Sequence, residues 1–361
     1  MATAFVLNAE LGPVIARYLE ENSPVEHNRD QGRTLPKAWS GLASEVDVAG
    51  LLVPDSLGGQ GAGLVELGAA LLEAGRHGWS GPLTAVAGVA VSLLRAADPQ
   101  DTAGLQRRIA EEGRVVVPAF HQDATGESLV GTATLRDGRV DGRWRFVDSG
   151  AHAMDLVLAV YEADEPVLVA VCVGDEGVDV RAQDGVDPGR GLASVELDAA
   201  PARVVARGQV VETAVRDAWR VGSLLIATDA LGAAERAFEL SREYAGTREQ
   251  FGRAIGSFQV IKHKLVDMYA ELELARSAIG EALRLSQERT DGWREAASAA
   301  AAVVGDAGTY ILREAIQVHG GIGFTWEHEL SHHFRRVMAC RGLYGTPKLH
   351  RDFVATAKGL S

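Results

Sequence analysis

The chain has 361 residues, 47% of them hydrophobic and 24% charged, the balance of a soluble globular protein long enough for two or three packed units. Its net charge of −13 excludes a general nucleic-acid or anionic-membrane binder, while leaving room for a local basic pocket for a phosphorylated ligand. Its two cysteines, Cys172 and Cys340, lie far apart in apolar settings, a reduced pattern with neither a disulfide framework nor a cysteine metal site.

The opening stretch "MATAFVLNAELGPVIARYLEEN" has no positive charge before Arg17, so no signal peptide is read there. The longest apolar run, "GPLTAVAGVAVSLL" at 81–94, is too short to span a bilayer. A cytoplasmic location without membrane insertion is the expectation. Residues 1–113 predict helices, since "LNAELGPVIARYLEE" and "LVELGAALLEAGRHG" repeat apolar residues at three- and four-residue spacing. Between them, "GLLVPDSLGGQGAGL" is a punctuated loop in which Gly58-Gly59 accommodates positive φ.

Over 114–211 the texture becomes Val-rich and short-period: "RVVVPAF", "SLVGTATLRDGRVDGRWRFVDSG" and "DLVLAVYEADEPVLVAVCVG" predict a β domain. Asp137-Gly138 and Asp141-Gly142 both predict hairpin turns. Over 212–361 the helical period returns in three long segments, "ATDALGAAERAFELSREYA", "FQVIKHKLVDMYAELELARSAIGEALRLSQ" and "WREAASAAAAVVGDAGTYILREAIQVHG", as in an antiparallel bundle. The predicted fold is mainly α with a β middle domain. Its domains are an N-terminal helical one (1–113), the β domain (114–211) and a C-terminal helical bundle (212–361).

Two stretches could carry chemistry. In "REQFGRAIGSFQ", Arg248 offers a planar fork of donors suited to a pyrophosphate, Phe251 and Phe258 offer flat apolar surfaces, and Gly252 and Gly256 allow a backbone to come close. On spacing alone it reads first as an interhelical loop anchored by its phenylalanines. In "QVHGGIGFT", paired glycines after a helix are first a C-cap, and also a concave run of N–H groups able to hold an anion.

Together, in this order on an Ala-rich bundle, these stretches resemble the acyl-CoA dehydrogenase family. "GLLVPDSLGGQGAGLVELGAALLEAGR" is similar to that family's N-terminal helical domain, and "WRFVDSGAHAMDLVLA" to the strand beside its flavin. The resemblance implies a helical N-domain, a β-barrel domain and a C-terminal four-helix bundle, with FAD as cofactor and an acyl-CoA as substrate. It implies that Arg248, Phe251, Ile255, Phe258 and Gln259, then Gln317, Gly320 and Gly321, hold the adenosine and pyrophosphate of an FAD whose flavin ring lies in a neighbouring subunit. An electron-transfer flavoprotein or similar acceptor is the implied redox partner.

The departures are equally specific. The family places a Glu-Gly-Thr turn 27 residues beyond the motif glutamine, its glutamate removing the substrate's α-proton; here that count from Gln317 reaches Tyr344, with Gly345 and Thr346 in register. The alternative family position for the base falls near Gly222 in "WRVGSLLIA", which has no carboxylate. A tyrosine, with an ordinary pKa of about 10, is a poor base at neutral pH. On the flavin side, "PAFHQDATGES" (118–128) keeps neither the Thr-Glu-Pro nor the Gly-Ser-Asp pattern. Phe146 stands where an indole often stacks, and Asp148 where a threonine commonly sits. Strand alternation puts Trp144, Phe146 and Asp148 on one face.

Nucleotide-side residues are thus kept while flavin-side and base residues are changed. The chain resembles the non-catalytic β subunit of the heteromeric (α2β2) acyl-CoA dehydrogenases of actinobacterial steroid side-chain degradation, with no catalytic residue of its own and a homologous catalytic α subunit as partner. A self-sufficient enzyme using Asp148 as a relocated base, and a scaffold of the same fold without redox chemistry, are the alternatives. "HELSH" (328–332) matches a zinc-hydrolase pattern, but no suitable glutamate follows and the histidines read as surface or interface residues.

Overall fold

The computed structural model describes residues 10–24, 35–97, 99–121 and 132–360. Helices α1 (Leu11–Asn22), α2 (Ala38–Ser44), α3 (Leu64–Arg76), α4 (Val91–Ala97) and α5 (Pro99–Glu112) precede eight strands. These are β1 (Val116–Ala119), β2 (Thr134–Arg136), β3 (Arg139–Val147), β4 (Asp155–Glu162), β5 (Glu165–Cys172), β6 (Val178–Ala182), β7 (Ala193–Pro201) and β8 (Arg203–Arg207). Helices α6 (Gln209–Thr247), α7 (Gln259–Glu288), α8 (Trp293–His319), α9 (Glu329–Cys340) and α10 (Pro347–Ala357) follow. The fold is mainly α with a β middle segment. By compactness the chain divides into two units, Met1–Arg29 with Gly68–Trp79 and Ser223–Ser361, and Asp30–Leu67 with Ser80–Gly222.

The second unit holds one sheet in the order β6-β7-β3-β2-β4-β5-β8, with β1 pairing in parallel alongside β4. Central strands are apolar runs: β1 is buried throughout and β4 is buried from Asp155 to Val160, as expected of strands covered on both faces. The run at 81–94 is a buried π-helical turn, Thr84–Ala90, leading into α4. Asp137-Gly138 makes the predicted β2–β3 hairpin with φ of 50° and 72°, the positive values that a two-residue turn demands. Asp141-Gly142 does not: it lies inside β3, where the register against β7 shifts between Val140 and Gly142. The second Asp-Gly serves a bulge, and Asp141 Oδ1 accepts the Ala199 N–H at 2.9 Å.

The first unit is built on the long helices. On α7 the buried positions Met268, Leu272, Ala275, Ile279, Ala282 and Ser286 recur every three or four residues, the stripe a bundle helix needs. Two glycines set the crossing of α3 and α6: a Cβ on Gly75 would overlap the Asp229 carbonyl, and one on Gly232 would overlap that of Leu72. Buried Arg336 of α9 grips Asp229 of α6 through two bonds at 2.6 and 2.8 Å and also donates to the Trp79 carbonyl. Among the described residues no helix is long and apolar enough to cross a membrane.

Candidate functional site

Helix α6 ends at Thr247, and the Arg248 N–H still donates to the Tyr244 carbonyl at 2.8 Å. The chain then folds into a two-strand hairpin, β9 (Glu249–Gln250) and β10 (Arg253–Ala254), closed where the Ile255 N–H reaches the Arg248 carbonyl at 2.8 Å. Phe251 and Gly252 turn the hairpin with φ of 54° and 78°. Phe251 does not anchor the loop to a core, as an interhelical-loop reading would have it: it is 93% exposed. Its ring meets Phe258 edge-on at 6.2 Å, and the Arg253 guanidinium lies 4.0 Å over Phe258. The result is a small aromatic platform at the surface. Ile255 and Phe258 are half-buried and Gln259 opens α7 exposed. Arg248 is exposed, with no side-chain partner among the described residues.

The two glycines of this segment differ in purpose. Gly256 is a packing glycine, whose Cβ would come 2.8 Å from the Ala245 carbonyl oxygen. Around Gly252 there is open space. Open space also surrounds Gly320 and Gly321, exposed residues at the end of α8 beyond the exposed Gln317. Gly320 has φ 64°, so a capping role is real, while at Gly321 neither φ nor crowding within the chain calls for glycine. The two stretches are brought together by a contact that sequence reasoning missed. Tyr244 stacks on His319 with centroids 4.5 Å apart and 23° between planes, and His319 meets His328 edge-on at 5.0 Å. One turn before Arg248 and one residue before Gly320, these rings were findable only as partners across the bundle.

Tyr344 lies in the turn between α9 and α10 and is 4% exposed. Its φ is 53°, that of Gly345 is 104°, and Thr346 caps α10 by accepting the Leu349 N–H. Gly222 is buried within α6. On β3 the expected common face of Trp144, Phe146 and Asp148 is broken. Trp144 is buried, Phe146 is 58% exposed, and Asp148 beyond the strand end is 6% exposed. The cause is a second register shift, between Trp144 and Val147, with Phe146 in the left-handed region at φ 56°. Ser149 Oγ donates to Asp148 Oδ1 at 3.5 Å. Of "PAFHQDATGES", residues 122–128 lie outside the described residues.

The "HELSH" residues have other work. His328 Nδ1 caps α9 by accepting the Leu330 N–H at 3.1 Å. Glu329 pairs with Arg236 at 2.7 Å and with buried His333 at 3.3 Å. Burial pushes the Glu329 carboxyl up, but hydrogen bonds from His333 and Arg236 outweigh it and hold it down at about 2.

Comparison with known proteins bears on this geometry. A family model described as acyl-CoA dehydrogenase, C-terminal domain, matches residues 213–359. The acyl-CoA dehydrogenase IpdE2 of Mycobacterium tuberculosis is 28% identical over 310 residues, covering 86% of this chain and 83% of that one. A solved complex, ChsE4-ChsE5 from Mycobacterium tuberculosis, superposes with a TM-score of 0.87 at 24% identity over 99% of this chain and 100% of its own. A G363A variant of the steroid ACAD Tcur3481-Tcur3483 gives 0.86 at 24% identity over 97% of both.

Proposed function

Since this chain belongs to the acyl-CoA dehydrogenase family, we propose that it is the partner subunit of a heteromeric, FAD-dependent acyl-CoA dehydrogenase. It supplies contacts in trans to the nucleotide half of an FAD and brings no base of its own. One contrast in exposure carries the reading. Arg248, Phe251, Gln259, Gln317, Gly320 and Gly321 stand at the surface, whereas Tyr344, at the proton-removing position, is 4% exposed. A guanidinium without a side-chain partner among the described residues, the exposed Phe251 ring and two open glycines fit a pyrophosphate and adenosine approaching from outside the chain.

A bound flavin would supply the acceptor for the hydride that leaves the substrate's β-carbon. This chain's part is to bind and orient: the Arg248 fork meets phosphate oxygens, Phe251, Ile255 and Phe258 offer apolar surface, and Gln259 and Gln317 offer amides. The α-proton goes to a glutamate of a homologous α subunit. Large apolar side chains exposed on the same unit, among them Val260, Val266, Ile322 and Phe324, support a protein partner over that region. The ChsE4-ChsE5 neighbour is a complex and the Tcur3481-Tcur3483 neighbour a steroid ACAD, which supports an α2β2 assembly acting on a steroid side-chain CoA. The assembly would be cytoplasmic, be reoxidised by an electron-transfer flavoprotein or similar acceptor, and keep the three-domain division at 113/114 and 211/212.

The test is flavin content and turnover of the chain purified alone and co-expressed with a homologous α subunit. The alone sample is expected to hold little flavin and no activity, and the complex fewer flavins than chains. Full flavin loading with turnover by the lone chain overturns the reading.

A further inference from the structure

We propose that His319 is a positioning residue for the cofactor's nucleotide half, its ring held between Tyr244 and His328 so that the turns bearing Arg248 and Gly320 keep one spacing. The proposal rests on the reading that those turns serve an FAD. Each ring is tied to a different part of the grip. The Tyr244 carbonyl takes the Arg248 N–H, so ring and arginine share one helical turn. His319 sits at the end of α8 directly before Gly320. His328 is fixed by the bond that caps α9.

The middle ring is the best restrained of the three. His319 is 5% exposed, and its Nδ1–H donates to the Ala315 carbonyl at 2.8 Å, so the imidazole cannot swing without losing that bond. The 320–324 turn closes back onto it, since a Cβ on Gly323 would come 2.8 Å from the His319 Cβ. Burial, opposed by the Ala315 bond and reinforced by His328, lowers the His319 pKa, so the ring meets its neighbours neutral. Offset and edge-on ring contacts of this kind hold orientation as well as area.

The experiment uses the co-expressed complex stripped of flavin and titrated with FAD, with the melting temperature followed alongside. His319→Leu and Tyr244→Leu fill space without a flat ring, and each is expected to weaken FAD binding by about tenfold, the factor carried by about 1.4 kcal/mol. His319→Phe, which keeps a ring, is expected to stay within about twofold of the parent. Because both partners of one stack are removed, the double variant should lose little more than either single one. If His319→Leu does not fold, Tyr244→Leu removes the stack from its other face. Leu and Phe variants with equal FAD affinity, while Arg248→Ala still weakens binding, overturn the positioning role alone. Unchanged binding in Arg248→Ala overturns the in-trans reading and this proposal with it.

Discussion

Replacing Arg336 by methionine tests the energetics of the helical unit most directly. Arg336 and Asp229 have side-chain exposures of 3% and 1%, and their bidentate bonds are 2.6 and 2.8 Å long. Methionine keeps much of the arginine's bulk but leaves the buried Asp229 carboxylate without its guanidinium, and the Trp79 carbonyl without the Arg336 donor. Removing one partner of such a buried pair costs roughly 3–5 kcal/mol. Against a total stability of about 5–15 kcal/mol that is a large share. For a chain of this length the melting temperature should fall by about 4–7 °C. The assay is calorimetry with a parallel urea titration at pH 7. The paired variant Asp229→Leu with Arg336→Met removes both charges and should recover most of the loss. A single Arg336→Met variant as stable as the parent would refute the account of this pair.

Tyr344→Phe should leave turnover of the assembled complex within about twofold, because a hydroxyl with an ordinary pKa of about 10 is not asked to remove a proton; a hundredfold loss in steady-state rate would give Tyr344 a chemical role. Gly232→Ala places a methyl against the Leu72 carbonyl and should cost about 1–3 kcal/mol, read as a lower urea midpoint. Stability should also fall with acid. Burial holds His152 down at about 4 and lowers His333 as well, so the unfolded chain binds these protons first. The His152 contribution is whole above pH 6.5 and is lost as pH falls through 6.5 toward 4, and that of His333 likewise begins to be lost below 6.5; Glu329, held at about 2 from an ordinary 4.5, adds a second loss between those values. A melting temperature constant from pH 8 to pH 5 would contradict the histidine part, and His152→Leu should flatten that slope.

Much of the fold was legible because apolar spacing changes with the element that buries it. The stripe on α7 and the apolar run of β4 announce helix and covered strand directly. What was not legible depended on partners distant in sequence. Asp137-Gly138 and Asp141-Gly142 are the same dipeptide, yet one turns a hairpin and the other bulges, because the register against β7 decides. The left-handed Phe146 breaks an alternation that composition could not warn of. At the site, residue types suggested which groups face a nucleotide, but a phenylalanine reads as core unless its surroundings are known, and Phe251 has almost none. The Tyr244–His319–His328 stack left no local signal, since each ring alone looks like an ordinary helix-end aromatic.

The glycine crossing of α3 and α6 has a mechanical consequence. Where Gly75 and Gly232 let main chain rest against main chain, no rotamer stands between the two rods to act as a spring or a bearing. That seam can neither slide nor breathe by small side-chain adjustments. Any flexing that accompanies turnover in an assembled enzyme must therefore be taken up elsewhere, with this joint carried along as a rigid weld.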